Sequence, residues 1–398
     1  MLVFILNAGS SSLKYQLMNP IIKKVFASGI CERIGIDGVL KHEYGEEGKE
    51  IKMDIDMPTH KEAIEAVLST LTTGEGKVID SVNDIEAIGH RVAHGGESFT
   101  SSALVTDEVL LEIERLIPLA PLHNPANILG IKICQELMPG KPNVTVFDTV
   151  FHQTMPDYAY MYALPYDQYT KHGIRKYGFH GTSHYYVSNE ARGMLDKKRN
   201  TRIVVCHLGN GSSVTAVLNG KSIDTSMGLT PVQGLMMGTR SGDVGAGAIS
   251  YMMKQEGLDI DQITELMNKK SGILGISGKS SDLREVLAHM DTDERCRLAV
   301  DMVAYNIKKY VGSYVAALDG IDALCFTGGI GENSALIREI VCTGLDGMGL
   351  VLDPIKNNKK RNDSRDIATN SSSARIFVIP TNEEYVIAND TYKVVSQS

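Results

Sequence analysis

The chain has no tryptophan, and aromatic residues make up only 6% of it. No GxxxxGK[ST] phosphate loop occurs anywhere, so a bound nucleotide would have to be held by a fold other than the P-loop one. The six cysteines, Cys31, Cys134, Cys206, Cys296, Cys325 and Cys342, form no CxxC pair. That excludes the common zinc and redox dithiol motifs and leaves buried, reduced thiols of a cytoplasmic protein. No apolar run approaches the ~20 residues of a membrane span. The apolar start, Met1 to Leu6, lacks a basic lead and a cleavage site and reads as a buried strand. Positive charge is not in excess either: 40 Lys and Arg stand against 48 Asp and Glu, a net charge of −8. Such a chain has no broad attraction for nucleic acid or an anionic membrane. Any anion it binds must be met by a few local cations.

Glycine, by contrast, is plentiful, at 38 of 398 residues. The length exceeds the roughly 250–300 residues at which single cores stop growing, so two domains are expected. Two stretches resemble each other. Leu2–Leu17 reads LVFILN-AGSS-SLKYQL and Ile203–Leu218 reads IVVCHL-GNGS-SVTAVL. Each is an apolar strand, a small polar turn and an alternating strand, with a further short strand expected near 23–29 and 221–225. Strands then alternate with helices in each half, which argues α/β with mixed sheets. Helices are expected over 60–71, 107–116 and 297–318, from Asn124-Pro125 with Asn124 as cap, and to Leu195 from a Thr182 or Ser183 cap. Lys356–Ser373 reads as a solvated loop.

Several motifs carry residues suited to phosphate chemistry. In Asn7-Ala-Gly-Ser-Ser-Ser-Leu-Lys14 a Gly/Ser hairpin turn offers N–H and hydroxyl groups, with Lys14 as a cation, or is a plain hairpin. Arg91 ends a strand before a Gly-Gly turn, which suits a planar carboxylate or phosphate, or a surface ion pair. Asp148 follows an apolar strand, where a carboxylate needs Mg2+ or an arginine as partner; a structural turn is the alternative. His180 sits between glycines ahead of a helix start. Arg240, inside the glycine-rich run 237–247, has little packing purpose, and a mobile or strained loop carrying a cation fits charge stabilisation in phosphoryl transfer; a solvated arginine on a flexible loop is the alternative. Thr327 to Ser334 is a glycine-rich strand-to-helix turn that lacks the third glycine of the dinucleotide fingerprint. Thr381 and Glu384 form a potential capping box, which leaves Glu383 the freer carboxylate for a metal.

Taken together, NAGSSSLKYQL, GHRVAHGGE, VFDTVFH, YGFHGTSH, HLGNGSS, MGTRSGDVG, GGIGENS and PTNEE resemble the acetate kinase family, in family order and over nearly the whole chain. The resemblance implies a duplicated ribonuclease-H-like α/β fold, shared with sugar kinases, chaperone ATPases and actin. It divides the chain into 1–150 plus a C-terminal helix 384–398, and 151–383, with the active site in the cleft between. It further implies reversible transfer of phosphoryl from ATP to acetate, with Mg2+ as cofactor and Mn2+ able to substitute, in a homodimer. By the same resemblance Asn7 and Glu383 match metal positions and Arg91 the substrate arginine. Asp148 matches the position called the catalytic acid/base, and His180 and Arg240 the groups that stabilise the phosphoryl in transit. Lys14, His207, Leu208, Gly209, Asn210, Gly211, Asp282, Leu283, Arg284, Gly329, Ile330, Gly331, Glu332 and Asn333 match nucleotide-binding stretches.

A carboxylate acceptor is already ionised near neutral pH and needs no general base. Asp148 is therefore expected to orient Arg91 or metal-bound water. Family members often have valine where this chain has Ala93. If Ala93 lines the methyl pocket with Leu122, Phe179 and Val232, the pocket is larger and propionate is the alternative substrate. A non-catalytic ATP-binding protein of the same fold would keep the hairpins but would not need Arg91, His180 and Arg240 together.

Overall fold

The computed structural model describes residues 1–195 and 199–397. Contacts divide the chain into two compact units, Met1–Val150 with Asn382–Ser398, and Phe151–Thr381. The return to the first unit thus begins two residues ahead of the expected 383/384 boundary, and Ser398 itself lies outside the described residues.

The first unit is built on eight strands: β1 (Val3–Ala8), β2 (Ser12–Asn19), β3 (Lys24–Glu32), β4 (Val39–Tyr44), β5 (Lys49–Asp54), β6 (Ala87–Val92), β7 (Ala103–Leu104) and β8 (Asn143–Phe147). They lie in the order β5-β4-β3-β2-β1-β6-β8-β7. The Gly/Ser turn makes β1 and β2 an antiparallel hairpin, whereas β6 and β8 join β1 in parallel. Period-2 alternation sends Phe4 and Leu6 to one face and Val3 and Ile5 to the other. The first face packs on helices His60–Thr72 and Asn124–Leu137 through Ile64, Val67 and Ile133. The second packs on the C-terminal helix Glu383–Gln397 through Ile387 and Ala388. Gly89 on β6 permits that second contact, because a Cβ there would stand 2.5 Å from Thr391 Oγ1 and 2.8 Å from Ile387 Cγ2.

The second unit repeats the plan with β9 (Arg202–Leu208), β10 (Ser212–Leu218), β11 (Lys221–Thr225), β12 (Ala323–Thr327), β13 (Arg365–Asp366) and β14 (Arg375–Val378). The order is β11-β10-β9-β12-β14-β13, again an antiparallel hairpin followed by parallel neighbours. The core strands β3-β2-β1-β6-β8 and β11-β10-β9-β12-β14 therefore share one topology, the duplication expected from the two similar hairpins. One face carries the long helix Glu294–Ala317, capped by Asp293, and the other carries the helix Gly181–Met194.

Several local expectations are corrected, each because a tertiary partner claims the residue. Asn124 is not the cap of its helix: His123 precedes it, and the Asn124 amide instead exchanges hydrogen bonds with the backbone of His94. The helix at 181 is preceded by His180, not capped by Thr182 or Ser183, since the Ser183 hydroxyl pairs with His207. Asn382, not Thr381, caps the last helix by accepting from the Tyr385 N–H, because Thr381 donates its N–H to Glu332 and its hydroxyl to Ser183. Within 356–373, expected as loop, the chain closes the short helix Pro354–Asn358 and adds β13 beside β14.

Candidate active site

In the first unit, β1, β6 and β8 run parallel, so their carboxyl ends lie side by side. Those ends deliver Asn7, Arg91 and Asp148. Asp148 is fully buried, and its N–H bonds to the Val92 carbonyl at 3.0 Å. Both its oxygens face Arg91, with Nη2 to Oδ2 at 2.5 Å and Nε to Oδ1 at 3.2 Å. Arg91 Nη1 reaches Asn7 Oδ1 at 3.4 Å. A forked ion pair of this kind holds the guanidinium in one plane. Burial opposes the charge on Arg91, but Asp148, with smaller contributions from Glu383 and Glu384, outweighs it and drives its pKa upward.

Lys14 stands opposite Asn7 across the hairpin and is exposed. It thus lies in the first unit, apart in the chain's division from the other residues expected at the nucleotide. Ala93 is 2% exposed; its N–H bonds to Asn127 Oδ1, and Asn127 Nδ2 donates to the Ala8 carbonyl. Leu122, expected beside Ala93, is 62% exposed.

The second unit holds a cavity of about 800 Å3. Gly209, Asn210, Asp282, Leu283, Arg284, Gly329, Ile330 and Asn333 all line it, together with Gly238 and Ser334 of the glycine-rich motifs and with Ile273, Ser281 and Leu287, which the motifs did not single out. The volume suits a nucleotide-sized ligand. GGIGEN is itself a short helix, Gly328–Asn333, and not a loop. Glu332 turns back onto this helix, accepting from the Gly328 N–H at 2.8 Å, and so serves the backbone. Arg284 bridges Asp282 at 2.6 Å and holds that carboxyl below its ordinary range. Gly238 is a sensitive point in this wall, because a Cβ there would stand 2.0 Å from Asn210 Oδ1. A side chain at position 238 would therefore have to displace Asn210, an overpacking that costs roughly 1–3 kcal/mol.

Beside the cavity, the tips of two side chains meet Gly211. His180 Nε2 and Arg240 Nη1 lie 3.4 and 3.6 Å from where its Cβ would stand. His180 adopts the left-handed backbone conformation, φ 57°, which is uncommon outside glycine and is often found at functional positions. Its ring stacks on His207 with centroids 4.3 Å apart. Its Nδ1 lies 2.9 Å from Ser213 Oγ, which also meets His184 Nε2 at 2.7 Å. Ser213, the last residue of HLGNGSS, has no role legible in the motif, although its register opposite His207 follows from strand alternation. Phe179 packs with Met227 and Met237.

The loop of Arg240, expected to be mobile or strained, is tied down by backbone hydrogen bonds. Met237, Gly238 and Thr239 carbonyls accept from Ile273, Leu274 and Ser271, and Ser241 N–H donates to Met267. Asp243 closes the loop onto Gly234 in both directions. Glycine at 272 makes this approach possible, with φ +62° and an added Cβ only 2.1 Å from the Met237 carbonyl. No carboxylate among the described residues pairs with Arg240, and burial lowers its pKa. Its guanidinium meets only the Met237 thioether, at 3.9 Å, among the described side chains, and so carries no countercharge.

A profile of the Acetokinase family matches residues 2–389. The chain belongs to the acetokinase family. It is 53% identical to an acetate kinase of Fusobacterium nucleatum over 99% of this chain and 100% of that one. An acetate kinase of Methanosarcina thermophila is likewise 53% identical, covering 99% and 97%. Among solved structures, Porphyromonas gingivalis acetate kinase superposes with TM-score 0.94 at 49% identity, each chain covered to 99%. A propionate kinase from Francisella tularensis gives 0.92 at 42% identity, again with 99% of each chain covered. Acetokinase membership makes the chain a phosphotransferase acting on a carboxylate.

Proposed function

We propose that this chain catalyses ATP + acetate ⇌ acetyl phosphate + ADP by direct in-line transfer. The observation that carries the reading is Arg240, without a carboxylate partner among the described residues, beside His180 at the Gly211 turn and next to a cavity of nucleotide size. Transfer between two anions needs charge compensation and alignment more than proton abstraction. Arg91, held planar by Asp148, receives the carboxylate. His180 and Arg240 offset charge on the phosphoryl in transit. Asp148 has both oxygens on Arg91, which supports orientation over acid/base work.

The donor set also suits a hard divalent cation. Asn7 supplies an amide oxygen, and Glu383 sits in the first turn of its helix with its charge felt at Arg91. Mg2+ is commonly held by one or two protein oxygens plus phosphates and water. Mg2+, or Mn2+ in its place, would be held by Asn7 and Glu383 and would neutralise charge on the nucleotide phosphates.

A hydroxamate assay for acyl phosphate with acetate, propionate and butyrate tests the activity; no product from any of them would reject it. Propionate is the second reading, because the Francisella neighbour is named a propionate kinase and Ala93 is small. Each buried CH2 is worth roughly 0.8 kcal/mol. Ala93→Val is therefore expected to lower propionate kcat/KM relative to acetate by several-fold or more; an unchanged ratio counts against Ala93 lining the methyl pocket.

The further reading is a cytoplasmic homodimer. All six cysteines are free and buried, and no helix among the described residues is long and apolar enough to cross a membrane. The helix Ala246–Glu256 fully buries none of its residues, and Ile249, Met252 and Met253, at i, i+3 and i+4, share one half-buried apolar face that would take a second copy. A monomeric mass by sedimentation equilibrium would reject the dimer.

A further inference from the structure

We propose that Ser213 and His184 are positioning residues that fix His180 as the neutral tautomer with its proton on Nε2. His180 then donates a hydrogen bond to the phosphoryl group and does not shuttle a proton, a consequence that rests on the carboxylate-kinase reading above.

The inference starts at His184. This ring is fully buried, and its Nδ1 has no partner among the described residues. A neutral imidazole has one N–H donor and one lone pair. An orphaned buried N–H is among the rarest features of folded proteins, so the proton belongs on Nε2, which has an acceptor in Ser213 Oγ at 2.7 Å. Burial, with His152 and His207 nearby, drives the His184 pKa well below its ordinary value, which agrees with a single proton on the ring.

Ser213 Oγ, itself buried, then accepts from His184 and has its own proton to give. The remaining partner is His180 Nδ1, at 2.9 Å. His180 Nδ1 is thereby an acceptor, and the ring's proton lies on Nε2, the atom that faces Gly211 beside Arg240. One hydroxyl passes the tautomer of one histidine to the next, in the way that the partner of one ring nitrogen commonly sets the state of the other.

Protonating His180 would reverse this order. Its Nδ1–H would need Ser213 to accept it, and either the hydroxyl proton would lose its partner or His184 would bury an N–H at Nδ1. A cation among the groups that meet His180, the Arg240 guanidinium, also opposes a second proton. His207 stacks on it at 4.3 Å from β9, His184 lies 6.4 Å away on the following helix, and the Arg240 guanidinium comes from the loop at Gly211.

The test is two-bond 1H–15N correlation spectroscopy on the full-length protein with 15N-labelled histidine, from about pH 6 to 8. His180 and His184 would be assigned with His180→Gln and His184→Gln. The expected result in the unsubstituted protein is the Nε2–H tautomer for both rings throughout. In Ser213→Ala, His180 should instead titrate within this range, and the pH profile of kcat should gain an acid limb. An Nδ1–H tautomer or an imidazolium at position 180 in the unsubstituted protein at pH 7 would overturn the proposal, as would identical His180 signals in Ser213→Ala. The spectra of the unsubstituted protein decide the point even if that variant fails to fold. They also stand apart from the hydroxamate assay, whose failure would remove the reaction but not the tautomer.

Discussion

Replacing Arg240 with alanine is expected to lower kcat by about a thousandfold, the order found when a cation or donor aimed at developing charge is removed from a preorganised site. The same change should leave thermal stability unchanged or raise it slightly. Arg240 is half-buried with no carboxylate partner, and burial already disfavours its charge. Its truncation therefore removes a desolvation penalty and leaves no countercharge stranded. Its loop is held by backbone hydrogen bonds that do not involve the side chain. A melting curve and single-turnover kinetics on one preparation would check both halves. A clear fall in melting temperature would mean that the guanidinium holds the loop together.

Arg91→Ala is expected to behave in the opposite way on stability. Asp148 is fully buried and has both oxygens on this arginine. Removing one partner of a buried ion pair strands the other charge, at a cost of about 3–5 kcal/mol. Activity should fall as well, because a charge-assisted hydrogen bond to the substrate carboxylate is worth up to about 3 kcal/mol, on the order of a hundredfold in kcat/KM. Asp148→Asn in the Arg91→Ala background should then recover most of the stability and none of the activity. Urea unfolding of both single variants and the double variant separates the terms. Failure of the double variant to recover would show that the loss does not arise from the stranded carboxylate.

The sequence showed more of the chemistry than of the local scaffolding. The hairpins at Leu2–Leu17 and Ile203–Leu218 were legible because alternation and a Gly/Ser turn are local signals, and they led to the duplicated topology. Helix starts were less so. Asn124, Ser183 and Thr381 have the residue types of caps, yet each is claimed by a group distant in sequence, His94, His207 and Glu332 respectively. The edge strand β5 and its neighbour β4 were not anticipated either. They carry charge at many positions, and β5 buries none of its residues, so the apolar signal of a strand is faint there. Arg240 was singled out from its glycine neighbours, but the same glycines implied looseness. They serve close backbone approach, as the contact between Gly272 and the Met237 carbonyl shows. Hydroxyl partners such as Ser213 leave no motif of their own, because which side chains they meet depends on strand register.

The discontinuity of the first unit bears on how the protein is made. Its sheet is complete by Phe147, but the face bearing Val3, Ile5, Val144 and Val146 is covered by Ile387 and Ala388, which follow the whole of the second unit in the chain. Until the last helix leaves the ribosome, that face has no partner from its own unit, and Gly89 marks the groove that awaits it. The unit begun first is therefore finished second, the reverse of the usual N-terminal-first order of domain folding. The carboxylate Glu383, which heads that helix, is delivered in the same late step, so a nascent chain cannot assemble its full charged constellation before the second unit has been synthesised.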